Sequence, residues 1–260
     1  SYDKQYIIGS KRYSKREQEL IEVNEFLAKL FHYNLTAIDK EPRNYLYSRN
    51  VDDKQIKELN LGYCKKGQFL NMAQKNEKVK KEDLLELGYL RIDDFGNLQE
   101  SFTNRIMFPI QDEHGRIIAF SGRYLPTDNE ADDKRQPKYL NSPEGEIFNK
   151  REVLFNLHRA KGTMRKNQEA YLFEGFMDVI AAYKSGIPNG LASMGTSLTE
   201  QQIRRIDKLV HQVVLCYDGD QAGQDAIYRA ISLFEEQSQL KMSIVSLPER
   251  LDPDEYVKKY

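Results

Sequence analysis

Three groups of carboxylates lie where short apolar runs end. Glu174 and Asp178 follow Tyr171-Leu172-Phe173, Asp218 and Asp220 follow Val213-Val214-Leu215-Cys216, and Asp252 and Asp254 lie downstream of Ile244-Val245. Singly, Asp-Gly is a common turn and Asp-Pro a common helix cap. Together, six carboxylates sharing one crevice repel one another, and the usual remedy is a divalent cation with hard oxygen ligands. Mg²⁺, with Mn²⁺ able to substitute, would bridge such carboxylates to substrate phosphates, which implies phosphoryl chemistry.

Other chemistries have little support. Cys64 and Cys216 are far apart, and neither they nor His32, His114, His158 and His211 fall at zinc-ligand spacing, so no zinc is expected and both thiols should be buried and reduced. With 39 Lys plus Arg against 40 Asp plus Glu, there is no global positive field for a polyanion. Nucleic-acid contact must be local, weak and salt-sensitive. There is no apolar run of membrane-spanning length and no signal-peptide pattern in residues 1–30, so no membrane partner and a cytoplasmic location are expected.

The elements that must position the carboxylates divide the 260 residues into two parts. Residues 1–165 read as an α+β subdomain. Ser14 and Glu17 form a capping box ahead of Leu20, Ile21, Val23, Phe26, Leu27, Leu30 and Phe31 at helical spacing. Shorter helices are expected near Pro42, after Asp52 and over Lys81–Leu87. From Tyr89, turn signals at Asp94-Phe95-Gly96-Asn97 and Asp112-Glu113-His114-Gly115 separate antiparallel strands, residues 126–137 form a polar surface loop, and a helix is expected over Phe148–Arg165. Residues 166–260 alternate strand and helix as in a mainly parallel, Rossmann-like α/β unit, whose continuous apolar strands should be covered on both faces. In such a sheet, functional groups collect beyond the carboxyl ends of the strands, where the three acidic groups fall.

At this point the motifs carry a resemblance. Glu174-Gly175, Asp218-Gly219-Asp220 and Asp252-Pro253-Asp254 resemble the Toprim fold of primases, type IA and type II topoisomerases and some nucleases. Glu174-Gly175-Phe176-Met177-Asp178-Val179, Ala192-Ser193-Met194-Gly195-Thr196-Ser197-Leu198-Thr199 and Asp218-Gly219-Asp220-Gln221-Ala222-Gly223 are similar to motifs of bacterial DnaG-type primases. So are Asn104-Arg105-Ile106-Met107-Phe108-Pro109-Ile110, Ser121-Gly122-Arg123 and Lys138-Tyr139-Leu140-Asn141-Ser142-Pro143-Glu144. The resemblance runs from about residue 12 to the last residue.

It implies DNA-templated synthesis of short RNA primers from ribonucleoside triphosphates on single-stranded DNA. Asp218, Asp220, Asp252 and Asp254 would hold metal with help from Asp178, and Glu174 would serve as general acid/base or as a further metal-linked carboxylate. It also singles out residues that composition would not, since isolated cations are usually solvated. Arg123 and Lys138 foremost, with Asn104, Arg105, Tyr139, Asn141, Lys150 and Arg49, would meet template or nucleotide phosphates. For Arg49 a surface salt bridge is the plainer alternative. The resemblance further implies competition by guanosine tetra- or pentaphosphate, a zinc-binding domain ahead of this core, and a helicase-binding domain beyond it. Gly195-Thr196-Ser197 could open an anion-receptive helix start, or Ser197 or Thr199 could simply cap the helix.

Three other readings fit these residues less well. A topoisomerase would need a separate domain bearing a nucleophilic tyrosine. A non-catalytic module would not need all six carboxylates. A haloacid-dehalogenase-like phosphatase would place Thr or Val where Gln221-Ala222-Gly223 stands.

Overall fold

The computed structural model describes residues 12–75, 79–126, 136–193, 197–248 and 251–259. The first helix, α1 (Lys15–Tyr33), begins as expected: the Ser14 hydroxyl accepts from the Glu17 N–H while the Glu17 carboxylate accepts from the Ser14 N–H. It buries Leu20, Ile21, Val23, Leu27 and Phe31. A π-helical turn over Asn34–Ile38 leads to α2 (Lys40–Ser48) and α3 (Asp53–Glu58), the latter opened by a capping box between Asp52 and Gln55.

Two elements had no local signature. Strand β1 (Gly62–Cys64) exists through its antiparallel pairing with β4, and its Gly62 lies so close to α1 that a Cβ would sit 2.4 Å from the Phe31 Cβ. Helix α4 (Gln68–Lys75) is capped from a distance, since the Glu100 carboxylate accepts from the Phe69 N–H at 2.7 Å and from the Leu70 N–H at 3.2 Å. Helix α5 (Lys81–Glu86) and a hairpin of β2 (Leu90–Ile92) and β3 (Leu98–Glu100) follow. Strands β4 (Arg105–Gln111), β5 (Ile117–Tyr124) and β6 (Tyr139–Asn141) complete an antiparallel sheet of order β1-β4-β5-β6. Most of the expected loop over residues 126–137 lies outside the described residues.

The second part holds α6 (Leu157–Asn167), β7 (Glu169–Phe173), α7 (Phe176–Lys184), β8 (Gly190–Ala192), α8 (Glu200–Asp207), β9 (Gln212–Leu215), α9 (Gln221–Gln237), β10 (Lys241–Ile244) and α10 (Pro253–Lys259). Its sheet has the order β10-β9-β7-β8 with every neighbouring pair parallel. Two expectations need correction. The helix expected over Phe148–Arg165 begins only at Leu157, because Asn156 is left-handed (φ 69°) and Phe155 makes a bridge with Ala192. Strand β10 is an edge, not a covered strand, so Lys241, Ser243 and Ile244 face solvent.

The core crosses between the two parts. One buried cluster joins Phe31, Tyr89, Phe108 and Phe120 to Phe173, Phe176, Val179, Ile180 and Cys216, with Phe176 stacked on Phe108 at 5.7 Å. A second cluster lies between the other sheet face and α6, α8 and α9. Cys64 and Cys216 are both free and buried. Among the described residues, no helix is long and apolar enough to cross a membrane.

Candidate active site

The strand order places a reversal between β7 and β9. The chain leaves β7 through α7 toward β8 on one side, and leaves β9 through α9 toward β10 on the other. Loops depart in opposite directions there and leave a crevice at the carboxyl ends of the two strands. Glu174 follows β7 and Asp218 follows β9, and a Glu174 carboxylate oxygen accepts from the Asp218 N–H at 3.2 Å. Asp220 caps α9 by accepting from the Gly223 N–H at 2.8 Å, so the helix-cap role coexists with its place at the site. Gly223 must be glycine, because an added Cβ would meet the Asp218 carbonyl oxygen at 2.1 Å and a Glu174 carboxylate oxygen at 2.9 Å.

The third acidic group arrives from α10. Gly219 donates its N–H to the Leu251 carbonyl at 3.1 Å, which ties the Asp218 loop to the segment entering this helix. Asp252 accepts from the Glu255 N–H at 2.6 Å while the Glu255 carboxylate accepts from the Asp252 N–H. Asp254 is buried; its N–H donates to Asp178 at 3.3 Å, and its carboxylate pairs with the Arg49 guanidinium at 2.7 Å. Asp178, on α7, also accepts from the Gly175 N–H at 3.1 Å.

Burial and mutual repulsion push these acids upward. Asp178 rises to about 7, chiefly through burial and then through Asp218 and Asp252. Asp218 also rises to about 7, again through burial first, then through Glu174, Asp252, Asp220 and Glu255. Glu174 is raised by burial and by Asp220, against the opposing Asp218 N–H and Arg229. Asp218 is therefore the hub of the cluster. One of its oxygens, Oδ1, is buried with no hydrogen-bond partner among the described residues. These features fit a divalent cation, which would both satisfy that oxygen and offset the repulsion.

The fit has a limit. Among the described residues no group of three His, Cys, Asp or Glu side chains is arranged to hold one ion. Five of the six expected carboxylates are linked electrostatically through Asp218, which couples to Glu174, Asp178, Asp220 and Asp252, while Arg49 occupies the sixth, Asp254. Rotation of side chains, or oxygens from substrate and water, would have to complete a coordination shell, as is usual for Mg²⁺.

The basic residues divide into exposed and spent. Lys138 is exposed, and Arg123 lies between the Tyr45 and Tyr139 rings at 5.3 and 5.2 Å while donating to the Tyr139 hydroxyl at 3.0 Å. Asn104 (φ 51°) lines a cavity with Lys66, Arg91 and Tyr124, whereas Lys150 and Asn141 are half-buried. Arg105 is placed differently from the expectation. It is fully buried, and it donates to the Gly122 and Pro137 carbonyls and to the Gln136 side chain, each at 3.0 Å. Its guanidinium pins β4 to β5 and lies 5.3 Å from the Tyr124 ring centre, so it does not present itself to a phosphate. Gly122 is small because a Cβ there would meet the Arg105 side chain at 2.8 Å. Thr199 is the cap of α8, accepting from the Gln202 N–H at 3.2 Å; Gly195 and Thr196 lie outside the described residues.

Sequence reasoning missed Glu255, Arg229 and Tyr217. Glu255 had a readable signal, since Asp252 and Glu255 stand at capping-box spacing. Arg229 had none; only the packing of α9 brings it toward Glu174.

A parallel sheet with carboxylates at its reversal point, fused to an α+β part that carries cations, defines a Toprim-containing catalytic core. The family model described as "DNA primase catalytic core, N-terminal domain" matches residues 30–161, and one described as "Toprim-like" matches residues 171–257. The chain belongs to the DNA primase catalytic core family. It is 48% identical over 251 residues to a DNA primase of Enterococcus faecalis, covering 95% of this chain and 40% of that protein. A DNA primase domain from Pseudomonas aeruginosa superposes with a TM-score of 0.81 at 34% identity, covering 92% of this chain and 74% of that one. A DnaG primase catalytic domain bound to ssDNA gives a TM-score of 0.82 at 31% identity, covering 95% and 79%. The chain spans about two fifths of the length of the curated relatives it matches.

Proposed function

We propose that this chain carries the nucleotidyl-transfer centre of a primase and makes short RNA on single-stranded DNA from ribonucleoside triphosphates. The observation that carries the reading is the meeting of Glu174 and Asp218 at the β7/β9 reversal, with Asp178 and Asp252 in electrostatic reach. Asp218, Asp220, Asp252 and Asp178 would hold Mg²⁺, or Mn²⁺ in its place, and the bound ion would neutralise charge on the triphosphate and the leaving pyrophosphate. Asp254 supports the site through its bond to Asp178 and its pairing with Arg49. Glu174 would accept the proton of the attacking 3′-hydroxyl or stand beside the ion.

Residues 1–165 would present the template and residues 166–260 the chemistry. Lys138 and Arg123 are the cations we assign to template or nucleotide phosphates, with Asn104, Tyr139, Asn141 and Lys150 lining the approach. Arg105 would act by holding β4 and β5 in register, and Arg49 through Asp254. Guanosine tetra- or pentaphosphate would compete for the triphosphate position, and the helicase would engage a region outside this core. The work would take place in the cytoplasm at the replication fork.

Incorporation of labelled ribonucleotides on single-stranded DNA tests the reading. Metal-dependent RNA oligomers, lost in Asp218→Ala and in Glu174→Ala, are expected. Template cleavage in place of synthesis, or synthesis indifferent to both substitutions, would overturn it.

A further inference from the structure

On the sheet face opposite Asp178, a cavity of about 300 Å³ opens against Glu174. Its wall is formed by Tyr217 at the end of β9, by Ala226, Arg229 and Ala230 on α9, and by Ser197 and Leu198 ahead of α8. The volume lies at the lower end of the range for small-molecule sites. Glu174 is therefore shared. It meets the Asp218 N–H on the side of the acidic crevice and forms the end wall of this second space.

Two groups in the wall lack partners. Tyr217 is only 7% exposed, yet its hydroxyl makes no hydrogen bond among the described residues. That hydroxyl is not itself sealed from solvent, so a ligand or water entering the cavity can meet it. The Arg229 guanidinium is exposed and makes no hydrogen bond or ion pair among the described residues, although it is near enough to Glu174 to act on it electrostatically. Ser197 adds an exposed hydroxyl at the rim.

The charges restrict the ligand. A bare anion such as inorganic phosphate would be drawn by Arg229 but repelled by the Glu174 carboxylate, and a bare cation would meet the opposite conflict. A molecule with hydroxyl donors at one end and an anionic group at the other satisfies both. The apolar wall of Leu198, Ala226, Ala230 and the Tyr217 ring suits a flat base projecting to the side of the sugar that joins them. We propose that this cavity is a ribonucleotide site that holds the first nucleotide of the RNA chain, with its ribose hydroxyls on Glu174 and its 5′-phosphates on Arg229.

The inference rests on the reading of the chain as a primase core and goes beyond it by giving the starting nucleotide its own place. A chain begun without a primer needs two nucleotides bound at once, one to attack and one to be attacked. The 3′-hydroxyl oxygen of the first forms a bond to the α-phosphorus of the second. The bond from that phosphorus to pyrophosphate breaks, and the hydroxyl proton passes to the Glu174 carboxylate. Arg229 fixes the attacking nucleotide from its far end, so it contributes more to the start of a chain than to later additions, where the annealed template holds the 3′ end.

Two measurements test this on the full chain. In the first, dinucleotide formation on single-stranded DNA is compared with extension of RNA already annealed to the same template, using GTP or guanosine as the starting molecule. Wild type should favour GTP over guanosine as starter; Arg229→Ala should abolish that preference and raise the KM of the first nucleotide at least about tenfold, equivalent to about 1.4 kcal/mol. Extension, in which the annealed template holds the 3′ end, should lose clearly less than initiation does, Arg229→Lys should recover part of the effect, and Tyr217→Phe should give a smaller rise. An equal loss in both reactions, or a phosphate preference that survives Arg229→Ala, overturns the proposal.

The second measurement is calorimetric titration with GMP, which needs no catalysis. Binding to wild type should weaken both with Arg229→Ala and with the 3′-deoxy analogue, and failure of GMP to bind wild type also overturns the proposal. If no RNA forms in either reaction, the primase reading fails, and the titration still decides whether the cavity takes a ribonucleotide.

Discussion

Arg105 and Asp218 are both charged groups drawn out of water, and the molecule treats them in opposite ways. Arg105 is fully buried; among the described residues two carbonyls and an amide oxygen take donors from its two terminal nitrogens and an aromatic ring lies beside it, while its Nε has no partner. Asp218 is half-buried among four other acids and keeps one buried oxygen without any partner among the described residues. The first charge is spread over neutral acceptors inside the fold and holds two strands together. The second is left unsatisfied by the protein, so that a cation and a substrate can satisfy it. A residue type that suggests function in a motif can thus serve structure, and what separates the two cases is the surroundings of each charge: neutral acceptors around Arg105, like charges around Asp218.

The strongest test of this contrast is Asp218→Asn, which should lower RNA synthesis by about 10³-fold or more while leaving the thermal midpoint equal or higher, since a repulsive charge has been removed. Retained activity, or a large loss of stability, would erase the distinction. Next in size is Gly223→Ala. The added Cβ would displace the Asp218 backbone or the start of α9, and about 10²-fold in activity should be lost through misplacement of Asp218 and Glu174, read as a fall in kcat.

On the other side of the comparison, Arg105→Ala should destabilise the fold by roughly 2–4 kcal/mol in urea titration, because it leaves a cavity and three unpaired acceptors. Arg105→Met should cost less, since it fills the space. If Arg105→Ala instead spared stability and weakened DNA binding, the residue would belong with the ligands. Arg49→Ala should cost roughly 1–3 kcal/mol, because Asp254 would stay buried without its cation.

The pH dependence sharpens the same point. Asp178 and Asp218 have folded values near 7 against an ordinary value of 3.8, so the folded chain holds more protons than the unfolded one between about pH 4 and 7. Their contribution to stability is complete below about pH 4 and is lost as pH rises through 7. Urea titrations without divalent cation should show stability falling over that window by roughly 1–3 kcal/mol, the more exposed Asp218 counting for less. Mg²⁺, which binds the ionised carboxylates, should reduce the fall between about pH 4 and 7, and Asp178→Asn should remove part of it. A slope of the opposite sign would contradict the clustering.

Much of this was legible in advance. The capping boxes at Ser14 and Asp52, the hairpin turns and the alternation after residue 166 are local signals, and each produced its element. Capping by Glu100 of a helix some thirty residues earlier, and pairing of Gly62 with Met107, are contacts across sequence distance that leave no local trace.

The sequence by itself determined the chemistry: acidic side chains behind three strands, spaced for a parallel sheet, with few rivals for metal or phosphate work. Only the tertiary structure decided which acids meet. The strand order put β7 beside β9 and so made Glu174 and Asp218 neighbours, while the docking of α10 spent Asp254 on Arg49 and brought Asp252 and Glu255 into the field of Asp218. The reason is physical. Residue type and spacing fix what a side chain can donate, accept or carry, whereas burial and the identity of its neighbours decide whether that capacity is consumed inside the fold or kept for a ligand.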